Sequence, residues 1–254
     1  MKTILTLGLL ASTLLAGCQA TSNMDTSQLG TIGGTALQVM ALSDSDIKTM
    51  SDQSCASMDQ KNQVAASDSA YVTRLNQVVA AMPQTVNGTP ANYKVYLTKD
   101  VNAWAMANGC IRVYSGLMDQ MNDDELRAVI GHEIGHVALG HSKSKMQTAY
   151  AASAARGLAA AMGGAIGSLS QSQLGALGEQ FVNAQFSQSQ ESAADNYSFD
   201  LLTERKLERK GLVTAFQKLA QLGGGTGISL LASHPPSTER ANAMQRRLDA
   251  AGGR

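Results

Sequence analysis

The amino-acid sequence predicts an α+β chain that is mainly helical and carries one small antiparallel sheet. Only 4% of the 254 residues are aromatic, whereas Ala, Ser, Gln, Gly and Met are abundant, which favours helices packed through small side chains. Several stretches show apolar residues at helical spacing. Three short β-like runs lie between residues 93 and 114, and an Asn-Gly pair typical of a hairpin separates the last two. The chain is long enough for one large domain.

The N-terminus has the pattern of an export signal, which we assign to residues 1–17. Lys2 supplies a positive charge, and an apolar stretch of about 13 residues follows at 4–16. Such a stretch is too short to span a bilayer comfortably as a helix.

The signal ends in Leu15-Ala16-Gly17-Cys18, which resembles a bacterial lipobox. A lipobox is cleaved before its cysteine, so Cys18 would carry the lipid. The alternative is an ordinary signal peptide with an incidental cysteine. By resemblance to Gram-negative lipoproteins, Gln19 in place of Asp implies sorting to the outer membrane. Residues 18–42 then form a lipidated, flexible tether, and residues 43–254 form the folded domain.

Two cysteines, Cys55 and Cys110, remain after Cys18. Export places them in an oxidising compartment, where two lone thiols usually pair. We therefore predict a Cys55–Cys110 disulfide, and the alternative is two buried free thiols.

The elements follow in a definite order. Helices are expected at 44–64 and 68–82, before a turn-rich break at 83–90 that contains Asn87-Gly88. The β-like runs are 93–97, 101–107 and 111–114. Residues 149–180 are a low-complexity segment, interpreted as one or two close-packed helices with a flexible joint; a lid over the site and a second membrane contact are the alternatives. Further helices are expected at 186–202, 212–222 and 238–248.

The most informative helix begins at Asn122, where Glu125 three residues later completes a capping-box pattern. This helix carries His132-Glu133-Ile134-Gly135-His136, and the apolar residues expected to form its core stripe are Leu126, Val129, Ile130, Ile134 and Val137. Two histidines four residues apart project from one helical face and can hold one zinc ion, and Glu133 can take a proton from a zinc-bound water. The helix is expected to end near Gly140. Lys143 and Lys145 beyond it are interpreted as helix-end cations that suit the negative end of the helix dipole, and His141 is interpreted as a helix-end cation or a surface residue.

A catalytic zinc site needs a third protein ligand. One exported protease class uses a histidine ten residues after the first, with a glycine seven after it, but Ser142 and Leu139 occupy those positions here. The other common solution is a Glu from a later helix. Glu191 is the candidate, and Asp195, four residues on, can accept the second ring N–H of a zinc-bound histidine.

Taken together, these residues resemble the HtpX-like and CAAX-prenyl-protease-like gluzincin zinc metallopeptidases. The resemblance rests on His132-Glu133-x-x-His136, on Glu191-x-x-x-Asp195 and on His234-Pro235 with Arg240. It extends to the lead-in segments Asn102-Ala103-Trp104-Ala105 and Val113-Tyr114-Ser115-Gly116-Leu117, and covers roughly residues 45–250. It implies a zincin-type domain with an active-site helix pair.

The resemblance also implies roles for particular residues. His132, His136 and Glu191 would bind the zinc ion, and Glu133 would act as the general base. His234 would stabilise the oxyanion, with a residue merely positioned by the Pro-Pro turn as the alternative. Arg240 would brace the site by pairing with an acidic residue. Asn102 and Ala103 would belong to the edge strand that holds the substrate extended.

The leading functional hypothesis is a zinc metalloendopeptidase, lipid-anchored to the outer membrane of a Gram-negative bacterium and facing the periplasm. Its partners would be unfolded or damaged proteins, the membrane and other envelope proteins. A net charge of zero without a basic run argues against nucleic acid. The rivals are a binding or chaperone module with structural zinc, and a latent enzyme in which residues 149–180 or another residue fill the fourth zinc position.

Overall fold

The computed structural model describes residues 42–155, 169–222, 229–234 and 238–252. The signal peptide, Cys18 and nearly all of the tether lie outside these residues, as does the centre of the low-complexity segment at 156–168. The interpretations of those parts stay predictions.

In the described part of the chain, helices flank a short run of strands, as the sequence predicts. The strands are β1 (Thr85–Val86), β2 (Thr89–Pro90), β3 (Asn92–Tyr96), β4 (Ala103–Ala105) and β5 (Cys110–Tyr114). The helices are α1 (Asp44–Lys61), α2 (Ala70–Val79), α3 (Ser115–Gln120), α4 (Asp123–Ala138), α5 (His141–Ala155), α6 (Gln171–Asn183), α7 (Gln188–Glu204), α8 (Lys210–Leu222), α9 (Leu230–Ser233) and α10 (Thr238–Ala250).

The sheet confirms the predicted hairpin and differs in the direction of one strand. β4 and β5 pair antiparallel around Asn108-Gly109, and Gly109 has a φ of +77°. A side chain there would meet the Pro90 carbonyl at 2.6 Å, so this turn requires glycine. β3 lies on the other edge of β5 and runs parallel to it. The three-stranded sheet is therefore mixed, because β5 returns between the two earlier strands.

The α4 helix forms as its sequence predicts. The Asn122 side chain accepts the Glu125 N–H at 3.0 Å, and Glu125 accepts the Asn122 N–H at 2.8 Å. The expected core stripe is buried along its whole length: Leu126, Val129, Ile130, Ile134 and Val137.

The chain beyond α4 differs from the expectation for Lys143 and Lys145. Gly140 adopts a φ of +75°, and a new helix, α5, begins directly after it. Glycine tolerates this left-handed conformation, which reverses the chain without a long loop. The two lysines consequently lie in the first turns of α5.

Helix α7 packs closely against α4, and two glycines of α4 allow it. A Cβ atom on Gly131 would lie 2.6 Å from the Ser198 hydroxyl oxygen, and one on Gly135 would lie 3.1 Å from the Ala194 carbonyl oxygen. The two helices that carry the predicted zinc ligands therefore touch backbone to backbone.

Helix α1 is fastened to the sheet by a disulfide and by a buried ion pair. Cys55 and Cys110 form the predicted disulfide. Next to it, the Arg112 guanidinium is 1% exposed and makes two hydrogen bonds, at 2.7 and 2.9 Å, to the Asp59 carboxylate. Among the described helices, none is both long and apolar enough to cross a bilayer.

Candidate metal centre

The two histidines of α4 face one another at the junction with α7. Their Nε2 atoms lie 3.0 Å apart, and both side chains are buried. One helical turn separates the two residues, so the 3.6-residue repeat sets both rings on the same face. Two ring nitrogens at this distance can bind the same metal ion.

Helix α7 brings the Glu191 carboxylate to the same point. Glu191 Oε1 lies 3.2 Å from His136 Nε2, and Oε2 lies 3.6 Å from His132 Nε2. With His234, these residues offer four buried donor atoms that all lie within 4.8 Å of one another. The histidine pair of α4 and Glu191 of α7, about 55 residues apart in the sequence, therefore meet at one point.

The charges of the group suit a cation. Burial opposes the ionisation of Glu191, but His132, His136 and His234 hold its pKa far below the usual value, so it is an anion. Burial and the neighbouring charge of His132 lower the pKa of His136, which favours a neutral imidazole. A neutral imidazole and a carboxylate are the forms that bind zinc.

Asp195 and Arg240 support this group from behind. Asp195 Oδ1 lies 2.8 Å from His132 Nδ1, the ring nitrogen that points away from the donor cluster. Arg240 donates to both Asp195 oxygens, at 2.7 and 2.6 Å, and also contacts Glu191. Asp195 thus holds the ring of His132, and Arg240 holds the two carboxylates.

Glu133 is buried beside the donor group. Its Oε1 atom has no hydrogen-bond partner among the described residues, and His234 Nε2 lies 3.5 Å away. A buried carboxylate oxygen without a partner is costly unless a ligand or water satisfies it. The space next to Glu133 therefore suits a polar reactant.

His234 lies closer to the donor atoms than an oxyanion donor needs to be. Its Nδ1 is 2.9 Å from Glu191 Oε1 and 3.2 Å from His132 Nε2. The residue follows α9, whose Leu230 N–H donates to the Val101 carbonyl at 3.2 Å, and the Ser229 side chain contacts Asp100. The segment 229–234 is thereby held against residues 100–101, just before β4.

The backbone of the predicted substrate strand points away from β5 at two residues, Ala103 and Ala105, and both are buried. The Asn102 carbonyl accepts the Tyr114 N–H at 3.0 Å, so the Asn102 backbone is used within the sheet. In this antiparallel register, the N–H and C=O of Ala103 point away from β5. The neighbouring edge carbonyl, on Ala105, accepts the Ser142 hydroxyl at 2.8 Å.

An apolar pocket adjoins Glu133 and His234. Its apolar lining comes from α4, α8 and the 229–234 segment and comprises Val129, Phe216, Leu219, Leu230 and Leu231. This lining suits an apolar group next to a bound peptide bond.

Sequence reasoning missed His141, interpreted above as a surface or helix-end residue. Its Nδ1 lies 3.0 Å from His136 Nδ1, the ring nitrogen that points away from the donor cluster. It occupies for His136 the position that Asp195 occupies for His132. The sequence feature that could have indicated this contact is Gly140, where the chain turns back towards α4.

The sequence also gave no sign of the aromatic contact behind His136. The Phe186 ring stacks on the His136 imidazole, with centroids 3.6 Å apart and planes 14° apart. Lys145 Nζ lies 4.1 Å from the centre of the same Phe186 ring. Nothing in the spacing of these residues indicated that they would meet.

The residues present fit a zinc ion. They provide buried imidazole and carboxylate donors directed at one point and groups within 3.0 Å of the outward nitrogens of both α4 histidines. Beside them lies Glu133 Oε1, which has no hydrogen-bond partner among the described residues. His132, His136 and Glu191 come from the two packed helices, and His234 comes from the segment next to β4.

Comparison with known proteins agrees with this geometry. The chain is 54% identical to the metalloprotease LoiP of Escherichia coli (strain K12), covering 95% of this chain and 94% of LoiP. It is 51% identical to the metalloprotease YcaL of the same organism, covering 94% of each. The protease HtpX of Acinetobacter baumannii (strain AYE) matches at 40% identity over 70 residues, 26% of this chain and 23% of HtpX. Residues 68–248 match the model of peptidase family M48. The chain therefore belongs to peptidase family M48 and is a zinc metalloprotease.

Proposed function

We propose that this chain is a zinc endopeptidase anchored at the periplasmic side of the outer membrane through Cys18. It hydrolyses peptide bonds of unfolded or damaged envelope proteins. The observation that carries the catalytic part is the meeting of His132, His136 and Glu191 beside Glu133, whose Oε1 has no hydrogen-bond partner among the described residues.

In this proposal His132, His136 and Glu191 hold the metal, which when bound polarises the substrate carbonyl and makes a water nucleophilic near neutral pH. Glu133 accepts the proton of the attacking water and passes it to the nitrogen of the leaving amine. Its burial keeps bulk water from competing for that proton.

Asp195 and Arg240 position the ligands. Asp195 Oδ1, 2.8 Å from His132 Nδ1, is placed to accept its N–H, which would fix the tautomer that leaves Nε2 free for the metal. Arg240 offsets the charge of the two buried carboxylates, Glu191 and Asp195, and keeps both oriented.

In this proposal the substrate pairs with the edge of β4, which would favour unfolded chains. Ala103 is buried, so the groups that cover its N–H and C=O would have to move before an extended backbone can pair with them. A folded protein rarely presents an extended backbone segment, whereas an unfolded protein does. The edge would therefore bind unfolded proteins in preference. Asn102 supports Ala103 from within the sheet.

The catalytic proposal is tested with residues 19–254 and the variant Glu133→Gln, alongside Glu179→Gln as a control on the exposed face of α6. Bound zinc is measured by elemental analysis and cleavage is measured on an unfolded protein. We expect zinc in all three proteins and cleavage by all except Glu133→Gln. Equal cleavage by Glu133→Gln would remove Glu133 from the mechanism, and zinc without cleavage in any of them would favour a binding module.

His234 could act either as an oxyanion donor or as a fourth metal ligand, and the two roles predict opposite effects of its removal. As an oxyanion donor it assists cleavage, which is our proposal. As a fourth metal ligand, which the 2.9 Å separation of its Nδ1 from Glu191 Oε1 would allow, it would keep the enzyme latent. We expect His234→Ala to lower the rate of cleavage about a hundredfold. A higher rate than that of the unaltered protein would establish latency instead.

The membrane anchor is tested with the full chain and the variant Cys18→Ser in a Gram-negative host. We expect the unaltered chain in the outer-membrane fraction and the variant elsewhere in the envelope. Equal recovery of both in the outer membrane would refute lipidation at Cys18 as the anchor.

A further inference from the structure

His141 is a half-buried histidine beside the metal centre to which the mechanism assigns no role. It is the first residue of α5. Its Nδ1 lies 3.0 Å from His136 Nδ1, and this is the one hydrogen bond recorded for either Nδ1 atom among the described residues. Such a contact between two ring nitrogens requires that one of them donates a hydrogen and the other accepts it.

The proposed coordination of His136 fixes the direction of this hydrogen bond. His136 Nε2 lies in the donor cluster, 3.0 Å from His132 Nε2 and 3.2 Å from Glu191 Oε1. A neutral imidazole that binds a metal through Nε2 keeps its hydrogen on Nδ1. The Nδ1–H of His136 must then donate, so His141 Nδ1 must accept and the hydrogen of the His141 ring must lie on its Nε2.

The turn at Gly140 brings His141 to this place. If α4 continued through it, residue 141 would lie about 140° around the helix axis from His136, too far to touch its ring. The left-handed Gly140, with a φ of +75°, reverses the chain instead. The Phe186 ring stacks on the His136 imidazole at 3.6 Å between centroids, which limits tilting of that imidazole but leaves its in-plane N–H to His141.

We propose that His141 is a positioning residue of the metal centre, which accepts the Nδ1–H of His136 and so holds Nε2 of that ligand towards the metal. This rests on the proposed ligand set. Partners of this kind orient a ligand and raise its basicity, and their loss typically costs about 10–100-fold in metal affinity or activity. A carboxylate, Asp195, lies behind His132, whereas a neutral imidazole orients His136 without adding a negative charge.

The position of the ring hydrogen distinguishes this role from simple packing. If His141 only fills space next to His136, its hydrogen can lie on either ring nitrogen and an apolar side chain can replace it. If His141 positions His136, its Nδ1 is unprotonated in the zinc-loaded protein and only a side chain with an acceptor atom at that place can substitute for it.

The ring hydrogens are read directly by nuclear magnetic resonance. The chain has only four histidines, so residues 19–254 with isotope-labelled histidine and no histidine tag give signals from four imidazoles. A two-bond proton–nitrogen correlation spectrum of the zinc-loaded protein is recorded at about pH 8, where an ordinary imidazole is neutral. The spectrum of His141→Asn identifies the His141 signals by their absence. We expect the His141 hydrogen on Nε2, and a hydrogen on its Nδ1 would overturn the proposal.

Zinc loss to an excess of a chromogenic chelator gives the second measurement. The unaltered protein is compared with His141→Leu, which has no acceptor, with His141→Asn, whose amide oxygen can take the place of Nδ1, and with the control Thr148→Ala at an exposed position of α5. We expect zinc loss about tenfold faster or more in His141→Leu, and rates within about threefold of the unaltered protein in the other two.

Equal rates in His141→Leu and the unaltered protein, or a His141→Asn variant as fast as His141→Leu, would overturn the proposal. Circular dichroism establishes that each variant is folded. If His141→Leu does not fold, the ring hydrogen of the unaltered protein and the zinc loss of His141→Asn decide the question. Absence of zinc from the unaltered protein would refute the ligand set itself, whereas zinc bound with the hydrogen on His141 Nδ1 would refute only the role of His141.

Discussion

At the scale of single residues, two groups of buried charges, around Arg112 and around Arg240, satisfy one another. Arg112 is the largest fully buried side chain, and the Asp59 carboxylate holds it while also accepting from Tyr96 and Lys94. Removal of one partner from such a group leaves the other charge uncompensated. Removal of Arg240 would likewise leave the charges of Glu191 and Asp195 uncompensated.

The Asp59 group supplies a test of this reasoning. Burial raises the pKa of Asp59, but the hydrogen bonds from Arg112, Lys94 and Tyr96 outweigh it and hold the pKa below 3.8. A carboxyl group with a depressed folded-state pKa stabilises above its unfolded value and loses that contribution as the pH falls. We expect Asp59→Asn to lower the free energy of unfolding by about 3 kcal/mol at pH 7.

The difference should shrink as the pH falls below about 4, because the unaltered protein then also loses the charge. Denaturant titrations at several pH values measure it. Asp52→Asn is the control, since the exposed Asp52–Lys48 pair contributes well under about 1 kcal/mol. A pH-independent difference would show that the charge of Asp59 is not the cause.

At the scale of elements, the site depends on how closely α7 approaches α4. Gly131 and Gly135 leave no side chain between the helices, so Glu191 reaches the α4 histidines. Ser198 lies over Gly131 and donates to the Ala128 carbonyl at 2.9 Å, which fixes the register of the two helices.

We expect Gly131→Ala to destabilise the fold by about 1–3 kcal/mol and to reduce zinc content, because the new methyl group lies 2.6 Å from the Ser198 hydroxyl oxygen and moves α7 outward. Thermal unfolding and elemental analysis measure both effects. Ser198→Ala in the same chain removes that oxygen and should restore part of each. A Gly131→Ala variant as stable and as rich in zinc as the parent would contradict this role for the glycine.

At the scale of the whole molecule, the parts predicted well are those whose signals are local. The Asn122 cap, the α4 stripe and the Asn108-Gly109 hairpin each depend on residues a few positions apart, and each is present. Glu191 could be predicted although it lies about 55 residues beyond the two histidines, because a catalytic zinc site with two histidines needs a third protein ligand.

The parts that were missed depend on contacts between distant elements. Tertiary packing, which a helical or strand period does not encode, determines the parallel direction of β3, the contact of His141 with His136 and the stacking of Phe186 on His136. Lys145 was interpreted as a helix-end cation for the same reason. The turn at Gly140 turned both residues back towards the site.

The central claim is that one zinc ion is shared between α4 and α7, and zinc content per chain tests it most directly. Residues 19–254 are compared with Glu191→Gln and with Glu179→Gln, whose side chain is exposed and pairs with Lys61. We predict one zinc per chain in the parent and in Glu179→Gln, and a loss of most of it in Glu191→Gln after dialysis against a weak chelator. Full retention of zinc by Glu191→Gln would contradict the two-helix site.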